Sequence, residues 1–324
     1  MIRYTRFVLS FCLATGLAAG LAGCVTNPTT GRSQFNALSR DEEISMGTQA
    51  MPDLVQEYGG AVRDPNLQNY VTNIGRQLAS VTEADNPTLP WEFTLLDSDV
   101  INAFAMPGGK VFISRGLAAK MTNEAQLAGV LGHEVGHVTA RHINDAITRQ
   151  QGVEVGAGLL GILAGAVSGG NQQERDQIAS GIGTAVTVGG GVVLLRFSRD
   201  QEHEADSLGI RYMTKLNYNP IGQMQVMQIL AGEAGGGAGS EWLATHPFPE
   251  NRVERIKGML AREYAFTQNN PQFQLYEERF RTQFLSKLAL LDPPAHRSPR
   301  AFALGNPATW CAHCAAAAES TPTQ

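Results

Sequence analysis

The stretch LAGVLGHEVGHVTARH, residues 127–142, constrains this chain more than any other. Its apolar spacing reads as helix, yet Gly129, Gly132 and Gly136 each cost a helix about 1 kcal/mol relative to alanine. His133, Glu134 and His137 also set polar groups among apolar ones. Spaced three and four apart, the glycines make a flat stripe on which another element can pack closely, so this helix is expected to be buried on several sides. Its polar side chains must offset that cost.

Residues four apart lie on one face about a turn distant, so His133 and His137 can each aim a ring nitrogen at one ion. Glu134 is rotated about 100° from His133 in a helix of about 3.6 residues per turn, which sets it beside the ion, where it can hold a water. H-E-x-x-H on a helix is therefore a zinc-binding pattern with a general base attached; histidines satisfied in a core are the plain alternative. A catalytic zinc takes three protein ligands and a water. The third ligand is expected from SRDQEHEADSLG, residues 198–209. On a helical wheel its core face is Ala205, Leu208, Gly209, Tyr212 and Met213, with Glu202 and Asp206 one turn apart at the edge of that arc. Glu202 is thus the expected third ligand of a single zinc ion, and Asp206 the acceptor that orients a ligand histidine. His203 points away and Glu204 falls on the opposite flank, so a charged surface helix is the alternative there. His142 and His203 are read as structural or surface residues.

The first residues have another purpose. Arg3 and Arg6 precede the apolar run FVLSFCLATGLAAGLAG, and Cys24 follows at once, which is the form of an export signal over 1–23; as a membrane anchor the run is short and glycine-rich. LAGC, residues 21–24, resembles the bacterial lipobox, which implies lipidation of Cys24. Val25 rather than aspartate after the cysteine implies the periplasmic side of the outer membrane, with membrane contact through the lipid. The net charge is −5 with no long basic run, which argues against nucleic acid as a partner.

Residues 24–38 are polar and turn-rich, suited to a tether, and a peptidase-sized domain is expected over 39–291. Ser39 and Glu42 form a capping box, and Asp64–Pro65 opens a second helix. WEFTLLDSDVINAFAMPGGKVFISRGL changes period and reads as a strand followed by a hairpin, giving a small antiparallel sheet. Helices are expected over about 123–150, 198–216, from Asn219–Pro220, over 250–263 and over 271–291. The glycine-rich segment 152–193 reads as a lid or membrane-facing segment, or as a pair of spans, although each apolar run is short. Residues 292–324 read as a disordered tail, in which Cys311 and Cys314 suit a local disulfide better than a metal site. The fold class is α+β, mainly helical.

HEVGH followed by EHEAD, with NAFAMPGGKVFISRGL upstream, resembles the zinc metallopeptidases that include the CAAX prenyl endopeptidases and HtpX. The resemblance covers about residues 40–260 and is closest to the periplasmic lipoprotein branch of BepA and LoiP type. It implies a zincin-like (gluzincin) domain, ligands at His133, His137 and Glu202, and a base at Glu134. BepA-like members add a helical-repeat domain for which this chain has no room, so LoiP is the nearer likeness; contact with outer-membrane assembly machinery is the further implication. The same comparison favours the strand Asn102, Ala103, Phe104, Ala105 as an edge to which a substrate peptide adds; a plain hairpin is the alternative. By similarity to THP-containing members, His246 reaches the zinc's open position as a self-inhibiting switch. Arg252 either stabilises the oxyanion or braces the loop.

These readings converge on a zinc endopeptidase acting on misfolded or misassembled envelope proteins. The rivals are a non-proteolytic chaperone or assembly factor with a structural or masked zinc, and a membrane-embedded prenyl-protein processor, which the weak hydrophobic segments disfavour.

Overall fold

The computed structural model describes residues 24–83, 89–149, 197–233, 241–246 and 249–294. The expected export signal, the glycine-rich segment 152–193, and Cys311 and Cys314 lie outside the described residues. Among those described, no helix is long and apolar enough to cross a membrane.

Residues 24–38, expected as a tether, pair as a hairpin of β1 (Cys24–Thr26) and β2 (Ser33–Phe35). Its polar side chains have a use that composition conceals. Asn27 Nδ2 donates to Thr139 O at 3.0 Å and Gln34 Nε2 to Ala140 O at 2.9 Å. These are carbonyls at the end of the H-E-x-x-H helix, where the last turn has no intrahelical donors. The hairpin is a C-terminal cap for that helix.

Ser39 and Glu42 form the capping box of α1 (Arg40–Glu57), and Asp64 caps α2 (Pro65–Ser80) with proline at the first position. A three-stranded sheet follows, β3 (Glu92–Leu96), β4 (Ala103–Met106) and β5 (Lys110–Ser114), in the order β3-β5-β4. The hairpin β4–β5 is antiparallel as expected, turning at Gly108 and Gly109 (φ 76° and 84°). β3 however pairs in parallel with the returning strand β5, so the sheet is mixed. The chain crosses to the far edge over 97–102 before entering β4, and that crossing inverts the expected partner. One face of the sheet (Ala103, Ala105, Val111, Ile113) joins the main core; the other (Phe104, Met106, Phe112) packs on Leu54 of α1 and on Tyr58, which caps it.

After α3 (Arg115–Ala118), α4 (Glu124–Thr139) carries H-E-x-x-H and is buried along its whole length. The expected helix over 123–150 is broken: Arg141 sits at φ 59° and a separate helical segment runs over 142–149. A non-glycine residue there is strained, and Arg141 is held by Glu43 Oε1 and Leu38 O.

The glycine stripe serves two neighbours rather than one. A Cβ on Gly132 or Gly136 would meet backbone of Gly209 or Ala205 in α5 (Arg199–Lys215), while one on Gly129 would meet Gln223 in α6 (Ile221–Glu233). The short α7 (Glu241–Thr245) follows, and α8 (Pro249–Arg262) packs mainly on α6 and sends Arg252 to His133 of α4. The helix expected over 271–291 starts late, at Glu277, because Pro271 and the left-handed Tyr276 (φ 55°) hold the preceding residues out of it. Its Arg279 pairs with buried Glu124 at the start of α4.

Candidate metal centre

The close approach of α4 to α5 brings Glu202 to His133 and His137. Their donor atoms, with one from His246, all lie within 4.8 Å of one another, and all four residues are buried. His133 Nε2 and His137 Nε2 are 3.0 Å apart, and Glu202 oxygens lie 3.5 Å and 3.4 Å from them. Donors about 2.0–2.2 Å from one tetrahedral zinc ion would be separated by roughly 3.3–3.6 Å. The two Glu202 distances match that spacing and the two imidazole nitrogens sit somewhat closer, so the cluster has about the size of a single-ion site.

Glu134 supplies the second test. Both of its carboxylate oxygens are buried with no hydrogen-bond partner, and an unpaired buried carboxylate is costly. Burial raises its pKa, opposed by His246 and His133 nearby. Asp206 stands on the other side of His133, with Oδ1 3.0 Å from Nδ1, as the wheel expects. Burial alone would raise the Asp206 carboxyl, but Arg252 outweighs it and holds it well below the usual carboxylate range.

Arg252 Nε donates to Asp206 Oδ2 at 2.8 Å, and its Nη1 lies 2.5 Å from Glu202 Oε2. The guanidinium therefore bridges both carboxylates. Three carboxylates, Glu134, Glu202 and Asp206, face this one guanidinium in a buried site. Against that guanidinium alone, three ionised carboxylates leave two negative charges; a protonated His133 offsets one of them without metal, and a divalent cation would balance both. The histidines respond to the same field. Burial and Arg252 act to lower His133, yet hydrogen bonds to Asp206 and Glu202 overcome them and push it up to about 9. Burial holds His137 well below the ordinary histidine range, as a neutral imidazole.

His246, at the end of α7, joins the cluster: Nδ1 lies 2.9 Å from Glu202 Oε1 and 3.3 Å from His133 Nε2. Its ring stacks on Trp242, centroids 4.6 Å apart at 15°. The strand Asn102–Ala105 is an edge in hydrogen bonding, since no described strand pairs with β4's outer side, whereas Gln68 and Val62 cover that of β3. Asn102 O accepts from Ser114 N, so alternation turns the backbone groups of Ala103 and Ala105 outward. All four side chains are buried. Phe104 packs into the α1 cluster, and Asn102 Nδ2 donates to Tyr58 Oη at 2.9 Å and lies 3.3 Å from Glu241 Oε2 of α7.

Three further residues adjoin the site: His142, read on the sequence as structural or surface, Glu204, read as lying on the opposite flank of its helix, and Gln223, which went unassigned. His142 Nδ1 lies 3.0 Å from His137 Nδ1, and its Nε2 lies 2.9 Å from Glu204 Oε2. Gln223 Nε2 donates to Asp206 Oδ1. A histidine just past the end of the metal-bearing helix was the available signal for the first; nothing local marks Gln223.

Residues 65–260 match the model of Peptidase family M48. The chain is 31% identical over 231 residues to the beta-barrel assembly-enhancing protease of Escherichia coli (strain K12), covering 70% of this chain and 46% of that protein. It is 28% identical over 236 residues to the mitochondrial metalloendopeptidase OMA1 of Schizosaccharomyces pombe, covering 72% and 65%. The chain spans about half the length of the beta-barrel assembly-enhancing relatives it matches.

Proposed function

The chain belongs to Peptidase family M48, and on that premise we propose that it is a zinc-dependent endopeptidase in which His133, His137 and Glu202 hold one zinc ion. The observation that carries this reading is the convergence of buried donors on one point beside a Glu134 carboxylate that has no hydrogen-bond partner.

Zinc, when bound, supplies a Lewis acid for the scissile carbonyl and lowers the pKa of a water to about 7. Glu134 takes the attacking water's proton and returns it to the leaving amine. Its burial, which raises the carboxyl's pKa, suits it to carry that proton between the two steps. Asp206 fixes the His133 ring through Nδ1, and Arg252 keeps Glu202 and Asp206 in register. The outward backbone groups of Ala103 and Ala105 offer an edge for an extended peptide. His246 is a self-inhibiting switch, since its ring nitrogen stands among the ligand atoms.

The protein is lipid-anchored through Cys24 on the periplasmic side of the outer membrane and cleaves misfolded or misassembled envelope proteins. The LAGC motif supports the anchor, and similarity to beta-barrel assembly-enhancing proteases supports work near outer-membrane assembly machinery. One observation favours a second reading, a non-proteolytic assembly factor with a masked zinc: four protein donors surround the centre, as in a closed structural site. Casein hydrolysis separates the two. The peptidase loses cleavage to a zinc chelator and regains it with added zinc; no chelator-sensitive cleavage, even in His246→Ala, supports the masked site.

A further inference from the structure

We propose that His142 and Glu204 form a positioning relay for the metal ligand His137, and that Arg32 of the N-terminal hairpin steadies its outer end. The inference rests on the zinc reading above. His137 turns Nε2 toward the donor cluster, 3.0 Å from His133 Nε2, so Nδ1 is the nitrogen left to be oriented. That atom lies 3.0 Å from His142 Nδ1.

Two neutral ring nitrogens at this distance need one donor and one acceptor. A histidine that ligates through Nε2 carries its hydrogen on Nδ1, so His137 donates and His142 Nδ1 accepts. The hydrogen of His142 is then on Nε2, where Glu204 Oε2 accepts it at 2.9 Å. Arg32 Nη2 donates to the same Glu204 oxygen at 2.7 Å. The two bonds from His137 to Glu204 run in one direction, and Arg32 donates to that carboxylate from the other side.

The backbone builds the relay at a cost. Arg141 takes its left-handed conformation directly before His142, and the reversal sets the His142 ring against His137, centroids 5.0 Å apart at 73°. His142 is fully buried, and the Glu204 side chain is 26% exposed. The two metal-bearing imidazoles are thus oriented differently: His133 meets Asp206 directly, while His137 reaches its carboxylate through a second imidazole. Glu202 and Glu204, two residues apart on α5, serve opposite sides of one centre.

The test uses the purified full chain and three readouts: zinc affinity by competition with a chromophoric chelator, the visible spectrum of the cobalt-substituted protein, and melting of the metal-free protein. His142→Phe keeps an aromatic ring, somewhat larger than imidazole, but removes the acceptor. It should weaken zinc binding by about 10- to 100-fold and shift the cobalt spectrum, with little change in metal-free melting. His142→Asn, whose side-chain oxygen can still accept from His137, should recover part of the loss. Glu204→Gln, at a partly exposed position that folding tolerates, should weaken zinc several-fold. The relay is overturned if His142→Phe and Glu204→Gln both bind zinc within about twofold of the parent with an unaltered cobalt spectrum. A parent chain that binds no zinc would overturn the metal-site reading itself.

Discussion

His246 Nε2 lies 3.7 Å from Glu134 Oε1, so the third imidazole of the centre faces the carboxylate assigned to proton transfer. The backbone holds it there: His246 N donates to Trp242 O at 2.8 Å, and Trp242 N reaches Ile101 O just ahead of β4. Release of His246 would open both the metal and the base to a substrate lying along that strand. His246→Ala should raise basal casein cleavage by about tenfold, equivalent to about 1.4 kcal/mol of preference for the closed arrangement. Unchanged or lower cleavage would show that His246 assists the reaction instead.

Glu134→Gln preserves shape and removes the base. Zinc content by elemental analysis should equal that of the parent, because the ligands are other residues, while cleavage should fall by a factor of about 10² to 10⁴. Full activity in this variant would assign proton transfer to another group.

Arg252 is fully buried between Glu202 and Asp206. Arg252→Met leaves two buried carboxylates uncompensated and should destabilise the metal-free protein by about 3–5 kcal/mol. Zinc should restore part of that, since a dication supplies the missing charge. Arg252→Lys should rescue poorly, because a point charge cannot reproduce the fork that spans both acids. Denaturant unfolding with and without zinc measures all three; equal losses in the two conditions would rule out the charge-balance account.

Gly209→Ala tests the helix crossing. A Cβ there would stand 2.9 Å from His133 N and 3.0 Å from Gly132 C, both backbone atoms that cannot swing away. Parting the helices should cost about 1–3 kcal/mol, more than the ~1 kcal/mol that alanine contributes to a helix. Glu202 would shift against His133, so zinc affinity should fall as well. Gly232→Ala on α6, which meets nothing within 4 Å, is the control and should be neutral or stabilising. Equal behaviour of the two variants in thermal unfolding would refute close packing as the reason for Gly209.

Local chemistry made much of the fold legible. Ser39 with Glu42, and Asp64 with Pro65, mark helix starts because a cap is settled within three residues. Misread elements share one cause, partners distant in the chain. The polar run 24–38 has the composition of a tether, and only the bare carbonyls of Thr139 and Ala140 turn Asn27 and Gln34 into caps. The end of α4 was overrun because the strain at Arg141 is offset by Glu43 and Leu38, about a hundred residues away.

By itself the sequence determined what helical periodicity can determine: His133 and His137 on one face, Glu134 beside them, and Glu202 with Asp206 a turn apart on a second helix. Those relations follow from 3.6 residues per turn and hold wherever the helices lie. Only the tertiary structure decided that Gly132 meets Gly209, that Arg252 bridges the acids, and that His246 and His142 approach the two histidines from different sides. Such contacts join separate elements, and the rotation between packed helices is set by the fit of all their side chains together, which no single segment encodes.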